Sequence, residues 1–198
     1  LNFGKSFGQP EQAARPAGGP GAGADRPRGG GGPRAGGRGG PGRMFGGGND
    51  SIDLDASCIM FDENKQAVDT VWFRQLRSQD GSIQHSGDNR TGDGDGDDEV
   101  IHVDLSRVPG HVKTLVFTVN SFTGQTFDTV ANSFCRLVDS GNRQEVAKLN
   151  LSDVKGSHTA VIMAKVYRHN GEWKMHAIGE NASGRTFHDL LPRVVAHL

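Results

Sequence analysis

Hydrophobic and polar residues alternate along the middle of the chain. Ile52, Leu54, Ala56, Cys58 and Met60 fall on one side of an extended backbone, and Asp53, Asp55 and Ser57 on the other. That period of two predicts a half-buried strand over Ile52–Phe61. After a turn at Asn64–Lys65, Val68–Leu76 predicts a second strand; Ile83–His85 continues it after Ser78–Gly81. Val100–Leu105 and Thr114–Phe122 predict strands separated by Pro109–Gly110, and Phe134–Val138 another ending at Ser140–Gly141–Asn142. Thr159–Arg168 and Glu172–Gly179 flank His169–Asn170–Gly171. An Asn-Gly pair between two such runs favours a type I′ hairpin turn, because both residues tolerate positive φ. Only the C-terminus has helical spacing: Thr186 caps a stripe of Phe187, Leu190, Leu191, Val194, Val195 and Leu198, which Pro192 should kink or interrupt. Short strands joined by turn residues predict a mostly β fold, a β-sandwich of antiparallel strands with a short C-terminal helix.

The first 49 residues break this pattern. They hold 18 glycines and 6 prolines, and Arg26–Gly48 is almost wholly glycine, proline and arginine. With so little apolar surface to bury, residues 1–49 are expected to be a disordered Gly/Pro/Arg-rich tail preceding a globular domain over 50–198. As a glycine-rich coil the tail would span roughly 35–42 Å. It carries a net charge of +5 within a chain of net −1, which leaves −6 on the domain. Arg-Gly segments that bind RNA interleave aromatic residues for stacking. Here Phe3, Phe7 and Phe45 lie outside the arginine-rich core, which argues against nucleic acid and for a tether.

The acidic surplus is concentrated. Residues 87–99 read GDNRTGDGDGDDE, with Asp88, Asp93, Asp95, Asp97, Asp98 and Glu99 offset only by Arg90. Two carboxylates about 5 Å apart repel by roughly 3 kcal/mol at an effective dielectric near 20. Several such pairs rival the whole stability of a domain, about 5–15 kcal/mol. A compact loop of this composition therefore calls for a cation. Oxygen-only donors select hard ions, and a flexible acidic loop favours calcium, which accepts irregular shells of six to eight oxygens. The loop imitates an EF-hand, with Asp93, Asp95 and Asp97 at its first, third and fifth positions. The sixth, however, is Asp98 rather than glycine, the twelfth is Asp104 within a strand-like run, and neither flank is helical. Asp53 and Asp55 put two more carboxylates on one strand face, making eight if the fold brings that strand beside the loop. Eight exceed the needs of one ion, so two calcium ions are expected.

Cys58 and Cys135 form no CxxC pair and sit among apolar residues, as reduced buried thiols do. There is no long apolar run and no charged stretch leading into an apolar one, so a cytoplasmic setting is expected. No Walker loop, nucleophile elbow or HExxH motif is present.

These residues resemble the TerD family of bacterial tellurium-resistance and stress proteins. The similarity is carried by IDLDASCIMFD at 52–62, HSGDNRTGDGDGDDE at 85–99, VFTVNSFTGQTF at 116–127 and YRHNGEWKMHAIG at 167–179. The wording of NSFTGQTF, HNGEWKMHAIG and ASGRTF is most similar to the TerZ branch. The resemblance covers residues 50–198 and implies a calcium-binding β-sandwich without enzymatic chemistry. It also implies partners of the TerB and TerC kind, near the inner face of the membrane. Carried over by motif, the metal ligands are drawn from Asp53, Asp55, Asp88, Asn89, Asp93, Asp95, Asp97, Asp98 and Glu99, with backbone carbonyls completing the shell. The family's usual opening strand and Gly-Trp-Asp segment before the DLD strand are not recognisable. The Gly/Arg-rich stretch stands in their place, which predicts an uncovered sheet edge.

The expected function is a calcium-dependent stress-response module that docks to protein partners near the membrane. Two alternatives stand beside it. A metal-dependent hydrolase would need an open coordination position beside a general base, and His85 and His102 are the only nearby candidates. A scaffold would recruit partners through its basic tail.

Overall fold

The computed structural model describes residues 1–7, 53–87, 97–129, 133–154 and 156–198. These form ten strands and one helix: β1 (Asn2–Phe7), β2 (Leu54–Asp62), β3 (Ala67–Val71), β4 (Ile83–His85), β5 (Glu99–Val103), β6 (Val112–Ser121), β7 (Ser133–Asp139), β8 (Gln144–Asn150), β9 (Ala160–His169), β10 (Glu172–Ala182) and α1 (Phe187–Ala196). One sheet has the order β4-β5-β1-β7-β8 and the other β10-β9-β6-β2-β3. Every neighbouring pair is antiparallel. This is the sandwich that the alternation predicts.

Residues 2–7 correct the expected tail. They are β1, the central strand of the first sheet, hydrogen-bonded between β5 and β7. Phe3 is fully buried and its ring lies 5.0 Å from that of Phe117 on the opposite sheet. The opening strand is therefore present, and the Gly/Arg-rich stretch separates β1 from β2 rather than replacing it. Six residues suffice because their inward positions are filled by Phe3 and by Lys5, whose charge is compensated within the core. The rest of the expected tail, residues 8–49, lies outside the described residues, as does Ile52.

Leu54, Ala56, Cys58, Met60, Phe117, Ile101 and Leu137 fill the space between the sheets. The other face of the second sheet is covered by α1, where Phe187, Leu190 and Val194 meet Ile59, Phe61, Val116 and Ile162. β2 is thus buried on both faces, not half-buried as its alternation suggests. The helix runs through Pro192 unbroken, and its N-terminus is closed by a reciprocal cap between Thr186 and Asp189. The hairpin is as expected, with Asn170 and Gly171 at φ 51° and 80°. The apolar run Val68–Leu76 is shorter as a strand than predicted. It stops at Val71, and Trp72 and Gln75 then close a tight turn through reciprocal backbone bonds of 3.1 and 2.9 Å.

Candidate metal site

The described part of the acidic loop is its exit: Gly87 on entry, then Asp97, Asp98 and Glu99. Asp88, Asn89, Asp93 and Asp95 lie outside the described residues. Each of the three exit acids is held by β1 or the strand beside it.

Glu99 opens β5 and stands directly opposite Lys5 in the β1–β5 ladder. Both side chains point between the sheets and are fully buried. Lys5 Nζ lies 3.4 Å from Glu99 Oε1. His85, at the end of β4, places Nε2 3.5 Å from Glu99 Oε2. His85 Nδ1 accepts the Gly87 N–H at 3.0 Å, which leaves Nε2 as the nitrogen facing the carboxylate. The backbone N–H of Ala56 donates to Glu99 Oε2 at 3.2 Å. β3 pairs only with the later half of β2, from Cys58 on, so Glu99 takes the edge that β3 leaves open at Ala56. Burial alone would raise the Glu99 carboxyl pKa. The hydrogen bond to His85, the Lys5 charge and the Ala56 N–H outweigh burial and hold it below its usual value.

Asp98 donates its backbone N–H to the Lys5 carbonyl at 2.8 Å. Asp97 lies across the outer face of the same strand. Its carboxylate meets Arg136 Nε at 3.1 and 3.2 Å, and Arg136 also reaches Glu145 at 3.5 Å. Arg136 is the β7 neighbour of Gly4. Asp97 passes over Gly4 so closely that a Cβ there would stand 2.5 Å from the Asp97 carboxyl carbon.

The other wall is the start of β2. The Asp53 carbonyl accepts the Phe122 N–H at 3.0 Å, and Asp55 pairs with Asn120 on β6. Asp55 is 4% exposed. The Glu99–Ala56 bond joins this wall to the loop exit and places the Glu99 carboxylate one residue along β2 from Asp55, whereas Asp97 faces Arg136 on the outer side of the first sheet. Among the described residues, no group of three or more His, Cys, Asp or Glu side chains converges tightly enough to hold a metal ion. The acids at the loop exit and at the start of β2 offer oxygen donors, the kind that suits a hard divalent cation.

The candidate general bases are otherwise engaged. His85 is buried, with Nδ1 on the Gly87 N–H and Nε2 3.5 Å from Glu99, and His102 contacts Asn2 Oδ1 at 3.0 Å on the surface. Both thiols are free and buried. Burial pushes Cys135 up to about 12 and raises Cys58 well above the usual thiol range. No helix among the described residues is long and apolar enough to cross a membrane. Lys5 and Arg136 were not legible as site residues, since only strand order places them beside Glu99 and Asp97.

Two antiparallel sheets packed over an apolar core, with a buried Lys5–Glu99 ion pair where the acidic segment enters β5, define the class of protein. The TerD domain matches residues 41–192, so the chain belongs to the TerD family of tellurium-resistance and stress-response proteins. It is 50% identical over 155 residues to the tellurium resistance protein TerZ of Serratia marcescens, covering 78% of this chain and 79% of that one. It is 41% identical over 159 residues to the stress response protein SCP2 of Bacillus subtilis, covering 77% and 80%. The crystal structure of a homologue of the telluride resistance protein TerD from Streptomyces coelicolor shares the fold. Its TM-score is 0.64 at 20% identity, covering 92% of this chain and 89% of that one. The family match begins at residue 41, so β1 lies outside it.

Proposed function

We propose that this chain is a calcium-binding, non-enzymatic stress-response module whose loaded form docks to protein partners. The observation that carries this reading is the Glu99–Ala56 hydrogen bond, which ties the exit of the acidic loop to the strand bearing Asp53 and Asp55. Asp53, Asp55, Asp97 and Asp98, with Asp88, Asn89, Asp93 and Asp95 from the loop, would hold up to two ions. Bound calcium would neutralise mutually repelling carboxylates and order the loop as a docking face. The names of the relatives, tellurium resistance and stress response, support the setting. Partners of the TerB and TerC kind, in the cytoplasm at the inner face of the membrane, complete the proposal.

Calorimetric titration tests it. Calcium should bind the wild-type chain and raise its melting temperature, with about 2.7 kcal/mol of added stability at 100 times the dissociation constant. Replacing Asp53 and Asp55 by Asn should remove most of the heat. An absence of heat with wild-type protein, together with an unchanged melting temperature, overturns the reading.

A further inference from the structure

Glu99 differs from the other acids that the family resemblance offers as ligands. Glu99 is fully buried, and its carboxylate is directed at Lys5, His85 and the Ala56 N–H. We infer that Glu99 is a positioning residue rather than a ligand, and that Lys5 is the internal cation that keeps it so. This inference rests on the calcium reading above. In it, Lys5, His85 and Glu99 form an ionic strut inside the sandwich. The strut fixes where the loop exit meets the strand carrying Asp53 and Asp55.

The geometry supports the assignment at each contact. Lys5 and Glu99 are opposed in the ladder, so their side chains leave the sheet on the same inner face. The same residue, Lys5, accepts the Asp98 N–H through its carbonyl. One position on β1 therefore anchors two successive loop residues, one by its backbone and one by its side chain. Ala56 follows Asp55 directly, so the Glu99–Ala56 bond acts one residue from a candidate ligand. His85 is oriented in turn by Gly87, at the loop entrance. Entrance, exit and opposite wall thus converge on one buried carboxylate. Partners that orient ligands without touching the metal alter affinity by about 10- to 100-fold when removed.

The two roles for Glu99 predict opposite signs. If Glu99 were a ligand, removing the Lys5 charge would release it to the ion and tighten binding. If Glu99 is the strut, the same change loosens the site. The experiment measures calcium affinity by titration and counts ion-bound waters from terbium luminescence lifetimes in light and heavy water. It uses the full chain carrying Lys5→Met, and also Lys5→Met with Glu99→Leu. The double variant replaces both charges by apolar groups, a change that buried pairs generally tolerate, so it keeps a folded protein to test. Both variants should bind calcium about 10-fold more weakly than wild type, with no change in the number of bound waters.

Tighter binding in Lys5→Met overturns the inference. So does a gain of bound waters in the double variant, or a lowered melting temperature in EDTA with unchanged affinity. Wild-type protein that binds neither calcium nor terbium would instead defeat the calcium reading itself.

Discussion

Gly4 lies beneath the carboxylate of Asp97, and a single added methyl would stand 2.5 Å from its carboxyl carbon. Glycine is required here for space rather than for backbone freedom. Gly4→Ala should push Asp97 off Arg136 and lower stability by about 1–3 kcal/mol in urea unfolding. In an Asp97→Gly background most of that cost should vanish, because the obstructing side chain is gone. An equal cost in both backgrounds would show that position 4 matters for another reason.

β1 carries a core aromatic as well as the lysine. Phe3→Ala should cost about 3–5 kcal/mol, since the ring is fully buried against Phe117. Thermal and urea melts would show it. A loss below about 1 kcal/mol would mean that residues 2–7 are not the central strand.

The Glu99 carboxyl is held below its usual 4.5, and the sign of the linkage follows. A depressed carboxylate stabilises the fold fully above its unfolded value and loses that contribution as pH falls through the depressed one. In EDTA, stability should be flat just above pH 4.5 with respect to this group and decline below it. Glu99→Gln should lose that part of the slope while being less stable at neutral pH. Superimposable pH slopes below 4.5 for the two proteins would contradict the assignment.

Thiol chemistry gives a fourth check. Cys58 and Cys135 are buried, and Cys135 is pushed up to about 12. A disulfide reagent at pH 8 should leave both unmodified in the native chain and titrate both in denaturant. Rapid labelling of the native protein would show that the core opens at low cost.

Elements with an unambiguous period or turn were legible in the sequence. Asn170–Gly171 announced its hairpin, and Leu54, Ala56, Cys58 and Met60 announced the inner face of β2. β1 was not legible, because its inner positions pair Phe3 with a lysine and Gly4 removes a side chain. β8 hid for a different reason. As an edge strand it exposes Gln144, Glu145 and Val146 together, so no alternation survives. The end of β3 carries no glycine, proline or asparagine at its turn, and Trp72 continues the apolar run through it. The cluster of acids at 93–99 could be read directly, and so could its need for positive charge. Which positive charges answer Asp97 and Glu99 could not, since Arg136 and Lys5 lie 39 and 94 positions away and meet them only through the strand order β5-β1-β7.

The place of β1 between β5 and β7 also sets an order of events during synthesis. The ribosome makes Lys5 long before Glu99, and Phe7 long before its partner Ser133. At about 5–20 residues per second, β1 waits roughly 7–26 s until β7 has been made. Within the first sheet, β1 is therefore made well before the two strands that seal its edges.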